Sequence, residues 1–205
     1  MKKLTKWLFA FACAVLAVCA LHMPAEATDA NGDGYRDEEV AAVNMLIENS
    51  TLTYEKDDIA NWTFVGWEHN GSEYTVRTLR FNGAWLRLPD GKLDTSVFPD
   101  LEILSCGGTI DLLALDVTEN PELTELHCFY TDITSLDVSQ NPKLSVLSCY
   151  DTGITELDVT NNAELTKLHC NNLALTSLDL SGNPKLTYLD CFQTDIAVLD
   201  LTANT

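Results

Sequence analysis

LTELHCFYTDITSLDVSQNPK, residues 123–143, is followed by near-copies of itself: LSVLSCYDTGITELDVTNNAE at 144–164, LTKLHCNNLALTSLDLSGNPK at 165–185 and LTYLDCFQTDIAVLDLTANT at 186–205. One copy upstream, LEILSCGGTIDLLALDVTENPE at 101–122, carries a single inserted residue. A fixed period of 21 residues marks a solenoid, in which each copy is one structural unit that buries its apolar face only against its neighbours. Within a copy, Leu123, Leu126 and Cys128 alternate as strand residues, and Ile133, Leu136 and Val138 do so again ten residues on. Asn141-Pro142 then turns the chain into Leu144. Because both halves alternate, the pattern predicts two narrow parallel sheets.

Cysteine placement sharpens this. Cys106, Cys128, Cys149, Cys170 and Cys191 hold one repeat position each. Stacking sets them on neighbouring parallel strands about 4.8 Å apart with side chains aimed the same way. A disulfide needs Cβ vectors that converge. The expectation is five buried thiols acting as small hydrophobes.

The first half of each copy matches the leucine-rich-repeat signature L-x-x-L-x-L-x-x-N, with cysteine in the third apolar slot. The whole unit, ending L-D-[VL]-[ST]-x-N, resembles the short bacterial secreted class with two leucine-rich halves nested in one repeat. That resemblance covers 101–205 and implies an α/β, mostly β fold: a right-handed leucine-rich-repeat solenoid of parallel strands with a helical N-terminal cap. It also implies a non-enzymatic extracellular binding protein, on the cell surface or secreted, engaging a protein or a glycan. The family's asparagine slot holds Thr109, Thr131, Thr152, Leu173 and Thr194 instead, so hydroxyls must satisfy the turn there. Asn120, Asn141, Asn162, Asn183 and Asn204 form a second column suited to that role at the other turn. Residues 61–91, NWTFVGWEHNGSEYTVRTLRFNGAWLRLPDG, resemble the module that caps such solenoids, with Trp62, Trp67 and Trp85 as cap packing.

Upstream, Lys2, Lys3 and Lys6 precede an apolar run from Trp7 to Leu21 and an Ala25-Glu26-Ala27 cleavage pattern. That predicts a secretory signal peptide over 1–27, a cap region over 28–100 and repeats over 101–205, with no membrane insertion after cleavage. The formal charge is -19, and it becomes -21 without residues 1–27, which hold three lysines and one glutamate. So acidic a chain disfavours nucleic acid and anionic membranes as partners.

DANGDGYRDEE, residues 29–39, resembles an EF-hand calcium loop. Asp29, Asn31 and Asp33 fall at loop positions 1, 3 and 5, Gly34 at the sharp-turn position 6, Tyr35 offers a carbonyl and Asp37 falls at position 9. Val40 stands where a bidentate glutamate is required, with Glu39 one residue early. The resemblance implies an optional Ca2+ and no required cofactor. The alternative is a helix-initiating turn, with Asp37 as N-cap and Glu38 and Glu39 favouring the dipole of a helix to about Glu48.

Three outward rows remain on the first strands. They read Ile103, Glu125, Val146, Lys167, Tyr188; then Ser105, His127, Ser148, His169, Asp190; then Gly107, Phe129, Tyr150, Asn171, Phe192. Rings at Phe129, Tyr150, Tyr188 and Phe192 are typical interface anchors, with Glu125, His127, His169 and Asp190 as polar contacts. The alternative is cross-strand stacking for stability alone. Ser148, His169 and Asp190 spell a triad, but parallel side chains on a flat sheet offer neither cleft nor oxyanion donors. The column Asp116, Asp137, Asp158, Asp179, Asp200 is flanked by hydroxyls that can offset its self-repulsion. The competing function is a structural or calcium-stabilised envelope component without a dedicated ligand. Self-association through the last coil is a further expectation.

Overall fold

The structure is a computed structural model that describes residues 32–49, 52, 63–84, 88, 90–109 and 111–204. The signal-peptide residues, Asp29, Asn31, Trp62 and Trp85 lie outside the described residues. Among the described residues, no helix is long and apolar enough to cross a membrane.

One helix, α1 (Asp37–Glu48), precedes an antiparallel hairpin of β1 (Val65–His69) and β2 (Tyr74–Arg80). Val43, Leu46 and Ile47 of α1, spaced i, i+3, i+4 on one helix face, are buried. The helix starts one residue earlier than expected. Arg36 is its N-cap with no side-chain cap bond, and Asp37 lies in the acidic first turn, where the helix dipole favours it. Arg36 instead reaches across the cap: its Nε donates to Glu73 at 2.7 Å, and its guanidinium lies 3.5 Å from Asp100 and 3.6 Å from Glu39.

The solenoid continues directly from the hairpin. β2 pairs in parallel with β4 (Ile103–Ser105), followed by β6 (Glu125–His127), β7 (Val146–Ser148), β8 (Lys167–His169) and β9 (Tyr188–Asp190). With β1 this makes one seven-stranded sheet. Leu79, Leu104, Leu126, Leu147, Leu168 and Leu189 align across it. All but Leu189 are fully buried, and the residues flanking them are more exposed except Ser105 and Ser148, which are themselves buried. Mostly β, with a single helix among the described residues, this is the architecture expected of the repeat.

Two details go beyond the five copies: one extends the expected strand residues Val76, Leu79 and Phe81 into a full coil, and the other departs from the expected pairing. Leu79, Phe81, Leu93 and Phe98 are buried and build a further coil ahead of the first recognisable copy, with β3 (Lys92–Asp94) paired to β5 (Ala114–Asp116). Second, β3 and β5 are the only two strands of the second sheet among the described residues, so the expected second ladder does not run the length of the solenoid. Charge gives the physical reason. Lys92 lies 3.2 Å from Asp116 and offsets the facing Asp94 and Asp116, whereas its later counterparts are Ser135, Glu156, Ser177 and Val198. Like charges directly opposite, without a cation between, disfavour strand pairing. Packing survives all the same: Val138, Ile154, Val159, Leu175 and Leu180 stay buried.

The asparagine column ties successive coils together, whereas the threonine column closes the turn within each coil and leaves the Thr109 hydroxyl without a partner among the described residues. Asn141 Nδ2 donates to the Val117 and Asn120 carbonyls at 2.9 and 2.8 Å. Asn162 repeats this to Val138 and Asn141, Asn183 to Val159 and Asn162, and Asn204 to Leu180 and Asn183. At the opposite turn the hydroxyls of Thr131, Thr152 and Thr194 donate to Cys128, Cys149 and Cys191 at 2.7, 2.9 and 2.9 Å, while Leu173 fills the slot by burial. The five repeat cysteines are free, four of them fully buried and Cys191 half-buried. Burial pushes the Cys106 and Cys170 thiols up to about 12, so they stay protonated and unreactive.

Candidate binding face

The outward rows lie as the repeat predicts. Pairing sets Glu125, Val146, Lys167 and Tyr188 side by side, with His127, Ser148, His169 and Asp190 next to them. The third row leaves the strands, but its backbone ladder continues: Gly108, Tyr130, Asp151 and Asn172 N–H donate to Phe129, Tyr150, Asn171 and Phe192 carbonyls. Phe129, Tyr150, His127 and His169 are half-buried; Tyr188 is 47% and Phe192 70% exposed.

The rings do not stand alone. Phe129 and Tyr150 stack with centroids 4.9 Å apart and planes 4° from parallel. Tyr130 meets both at right angles, 5.9 Å from Phe129 and 5.2 Å from Tyr150. Gly107 makes room for this, because a Cβ there would lie 2.6 Å from the Phe129 ring. Farther along, His169 packs on Tyr188 at 4.7 Å. At the other end His127 Nε2 lies 3.4 Å from Glu125.

Tyr130 is the member the row pattern misses. It belongs to a column of left-handed residues, one per coil: Gly108, Tyr130, Asp151, Asn172 and Gln193, with φ of 68°, 52°, 53°, 57° and 55°. Glycine, asparagine and aspartate suit that conformation; a tyrosine there costs about 1–2 kcal/mol. It is 59% exposed, so burial does not explain it. The signal was present in the sequence as one ring in a column of small or polar letters. Asp151, next to Tyr150, accepts a bond from Asn172 Nδ2 at 3.0 Å. Partial burial, with Tyr130 and Asp151 beside it, raises the Tyr150 hydroxyl above its ordinary range.

Ser148, His169 and Asp190 do align, yet Ser148 is buried and the His169 ring lies against Tyr188 rather than bonding to it. A cavity of about 70 Å³ lies elsewhere, between Leu178, Leu180, Asp200 and Thr202. That is below the roughly 300 Å³ at which small-molecule sites begin.

The aspartate column serves the turns. Asp116, Asp137, Asp158, Asp179 and Asp200 each accept the backbone N–H two residues on, at 2.9–3.2 Å. Hydroxyl bonds from Thr118 and Thr160 lower Asp116 and Asp158, and the N–H groups of Ser181 and Thr202 lower Asp179 and Asp200.

Of the calcium-loop residues, Asp33 accepts the Tyr35 N–H at 2.9 Å, and Tyr35 stacks on Tyr74. Asp37 is in α1. Glu39 is fully buried and accepts the Val76 N–H at 2.7 Å, which ties it to β2. Among the described residues no group of three or more His, Cys, Asp or Glu is placed to hold a metal ion.

Family models and curated proteins yield no match to this chain. Solved structures do. The functional domain of InlJ from Listeria monocytogenes, which includes a cysteine ladder, is 34% identical over 54% of this chain and 29% of its own, at a TM-score of 0.47. A leucine-rich-repeat protein of Leptospira interrogans is 24% identical over 51% of this chain and 29% of its own, also at 0.47. The chain therefore spans under a third of either of these structures. The leucine-rich-repeat ectodomain of the receptor kinase SOBIR1 from Arabidopsis thaliana, 13% identical, matches over 78% of this chain and 94% of its own at 0.60. Repeat, parallel ladder and that superposition agree: the chain has the leucine-rich-repeat solenoid fold.

Proposed function

We propose that this chain is an exported bacterial binding protein without catalytic activity, which recognises a protein partner through the outward rows of its sheet. One observation carries the reading: rings stand in solvent where the scaffold does not need them. Phe192 and Tyr188 are 70% and 47% exposed, so the stability gained by covering them is still to be had in a complex. Glu125, His127, Phe129, Tyr150, His169 and Asp190 complete the contact set. Export rests on the basic, apolar and Ala-x-Ala order of residues 2–27.

The test is capture by the purified protein on intact cell surfaces and on glycan arrays, with a Phe129→Ala/Tyr150→Ala/Phe192→Ala variant alongside. The variant is expected to lose at least about tenfold in capture, as interface anchors do. A variant that keeps every interaction of the parent would refute the assignment.

A further inference from the structure

We infer that Phe129, Tyr130 and Tyr150 form a seat for a guanidinium or ammonium group on a basic segment of the partner. This rests on the binding-face reading and deepens it by naming the partner's chemistry.

Two stacked, half-buried rings with a third standing at right angles form a corner in which Tyr130, 59% exposed, is the ring open to solvent. A cation is attracted to such a face by the ring quadrupole, at centroid distances of up to about 6 Å. Tyr130 holds a backbone conformation that the other copies give to Gly108, Asp151, Asn172 and Gln193. Strain of this kind persists at ligand clamps, where the side chain's position matters more than the backbone's comfort.

The charge around the rings is uniformly negative. The segments leaving the first strands, 107–113, 129–135, 150–156, 171–177 and 192–198, contain Asp111, Asp132, Asp151, Glu156 and Asp195 and no Lys or Arg. Asp151 is fixed beside Tyr150 by Asn172. Across residues 101–205 there are 16 Asp and Glu against 3 Lys, and Lys143 and Lys185 are already paired with Glu122 and Glu164. An anionic ligand would be repelled by this surface, and a neutral sugar would gain from the rings but not from the field. A cationic segment gains both from the field and from the rings.

The experiment titrates the full-length protein with a tetra-arginine peptide, and with tetra-citrulline as its neutral isostere, following ring and amide NMR shifts. Salt is held near 0.15 M to screen diffuse attraction. Tetra-arginine is expected to move the Phe129, Tyr130 and Tyr150 rings and the Asp151 amide, and tetra-citrulline to leave them. Tyr130→Asn, which suits the left-handed backbone, is expected to weaken binding about fivefold or more without lowering the thermal midpoint. Asp158→Asn/Asp179→Asn, on the other column, is expected to stay within about twofold. Shifts spread along the aspartate column, a Tyr130→Asn variant that binds as the parent does, or rings moved by neutral maltohexaose and not by tetra-arginine would each overturn the cation seat. The binding face itself stands or falls on the triple-alanine capture, so the two readings fail separately.

Discussion

Truncating the middle of the asparagine column, Asn162→Ala, tests what holds the coils in register. Asn162 is fully buried, and its Nδ2 donates to Val138 and Asn141 carbonyls, both at 2.9 Å. Each of these carbonyls keeps one backbone bond, from Asn141 N–H and Leu144 N–H respectively. Truncation therefore leaves two under-satisfied acceptors rather than two orphans, which places each near the low end of the 1–3 kcal/mol range for a lost buried partner. A total of about 2–3 kcal/mol follows, or a thermal midpoint lower by roughly 4–12 °C for a chain of this size. Urea denaturation with a common slope gives the free energy directly. Asn204→Ala is the internal control, since it makes the same two bonds in a half-buried setting and should cost less than half as much. The reasoning fails if Asn162→Ala costs under about 0.5 kcal/mol, within the range of ordinary surface substitutions, or if the two variants cost the same.

At Tyr130 the usual order of alanine and glycine should invert. Both variants lose the same ring contacts, but glycine accepts the left-handed backbone, so Tyr130→Gly should be more stable than Tyr130→Ala by about 0.5–1 kcal/mol in urea; the reverse order would remove the strain. Glu39 is held at about 8, above its usual 4.5, because burial outweighs the help of the Val76 N–H and Arg36. Its folded value lies above its unfolded value, so its contribution is full below about pH 4.5 and is lost as pH rises through about 8. Comparing Glu39→Gln with the parent across that window should give a flatter stability profile for the variant; parallel profiles would contradict the shift. Thiol titration should find the repeat cysteines unreactive in the native protein at pH 8 and all five reactive after unfolding, with Cys191 the first to open; fewer than five would mean disulfides. With Glu39 committed to Val76, calcium is expected to raise the thermal midpoint by less than about 2 °C. A larger rise would mean that residues 29–37 hold the ion without it.

The repeat letters carried most of the fold because each inward position recurs five times, so core, cysteine column and asparagine column could be read by alignment of the chain with itself. Of the coil before Leu101 the strand residues Val76, Leu79 and Phe81 were legible, but its far turn was not, because the turn slots hold Thr95 and Phe98 where later copies hold valine or leucine and asparagine. Yet Asn120 Nδ2 donates to the carbonyls of those two residues at 3.1 and 2.8 Å, and a backbone carbonyl leaves no trace in a sequence pattern. The second ladder was over-read for a related cause: apolar alternation reports burial, not pairing, and the charges facing each other across Asp137, Asp158 and Asp179 are visible only once the coils are stacked. In the candidate site, the rows could be placed by counting, whereas Tyr130 depended on a backbone angle. Glu39 fits the alternative of a first-turn helix acid, but its bond to β2 left no mark in the sequence because that strand lies 37 residues away in the chain.

The one inserted residue has a consequence for how such a chain can change length. It falls at Ile110-Asp111, between Thr109 and Leu112, where later copies have a single residue such as Asp132, and Asp111 takes a φ of 68°. Leu115, Val117 and Asn120 beyond it are buried in their proper slots, so the corner absorbs the extra residue locally. An addition inside β6, β7 or β8 would instead turn the rest of that strand's inward residues to solvent before the next corner could absorb it. Viable length variants are therefore of two kinds, a whole number of 21-residue units gained or lost anywhere, and single residues tolerated at such a corner.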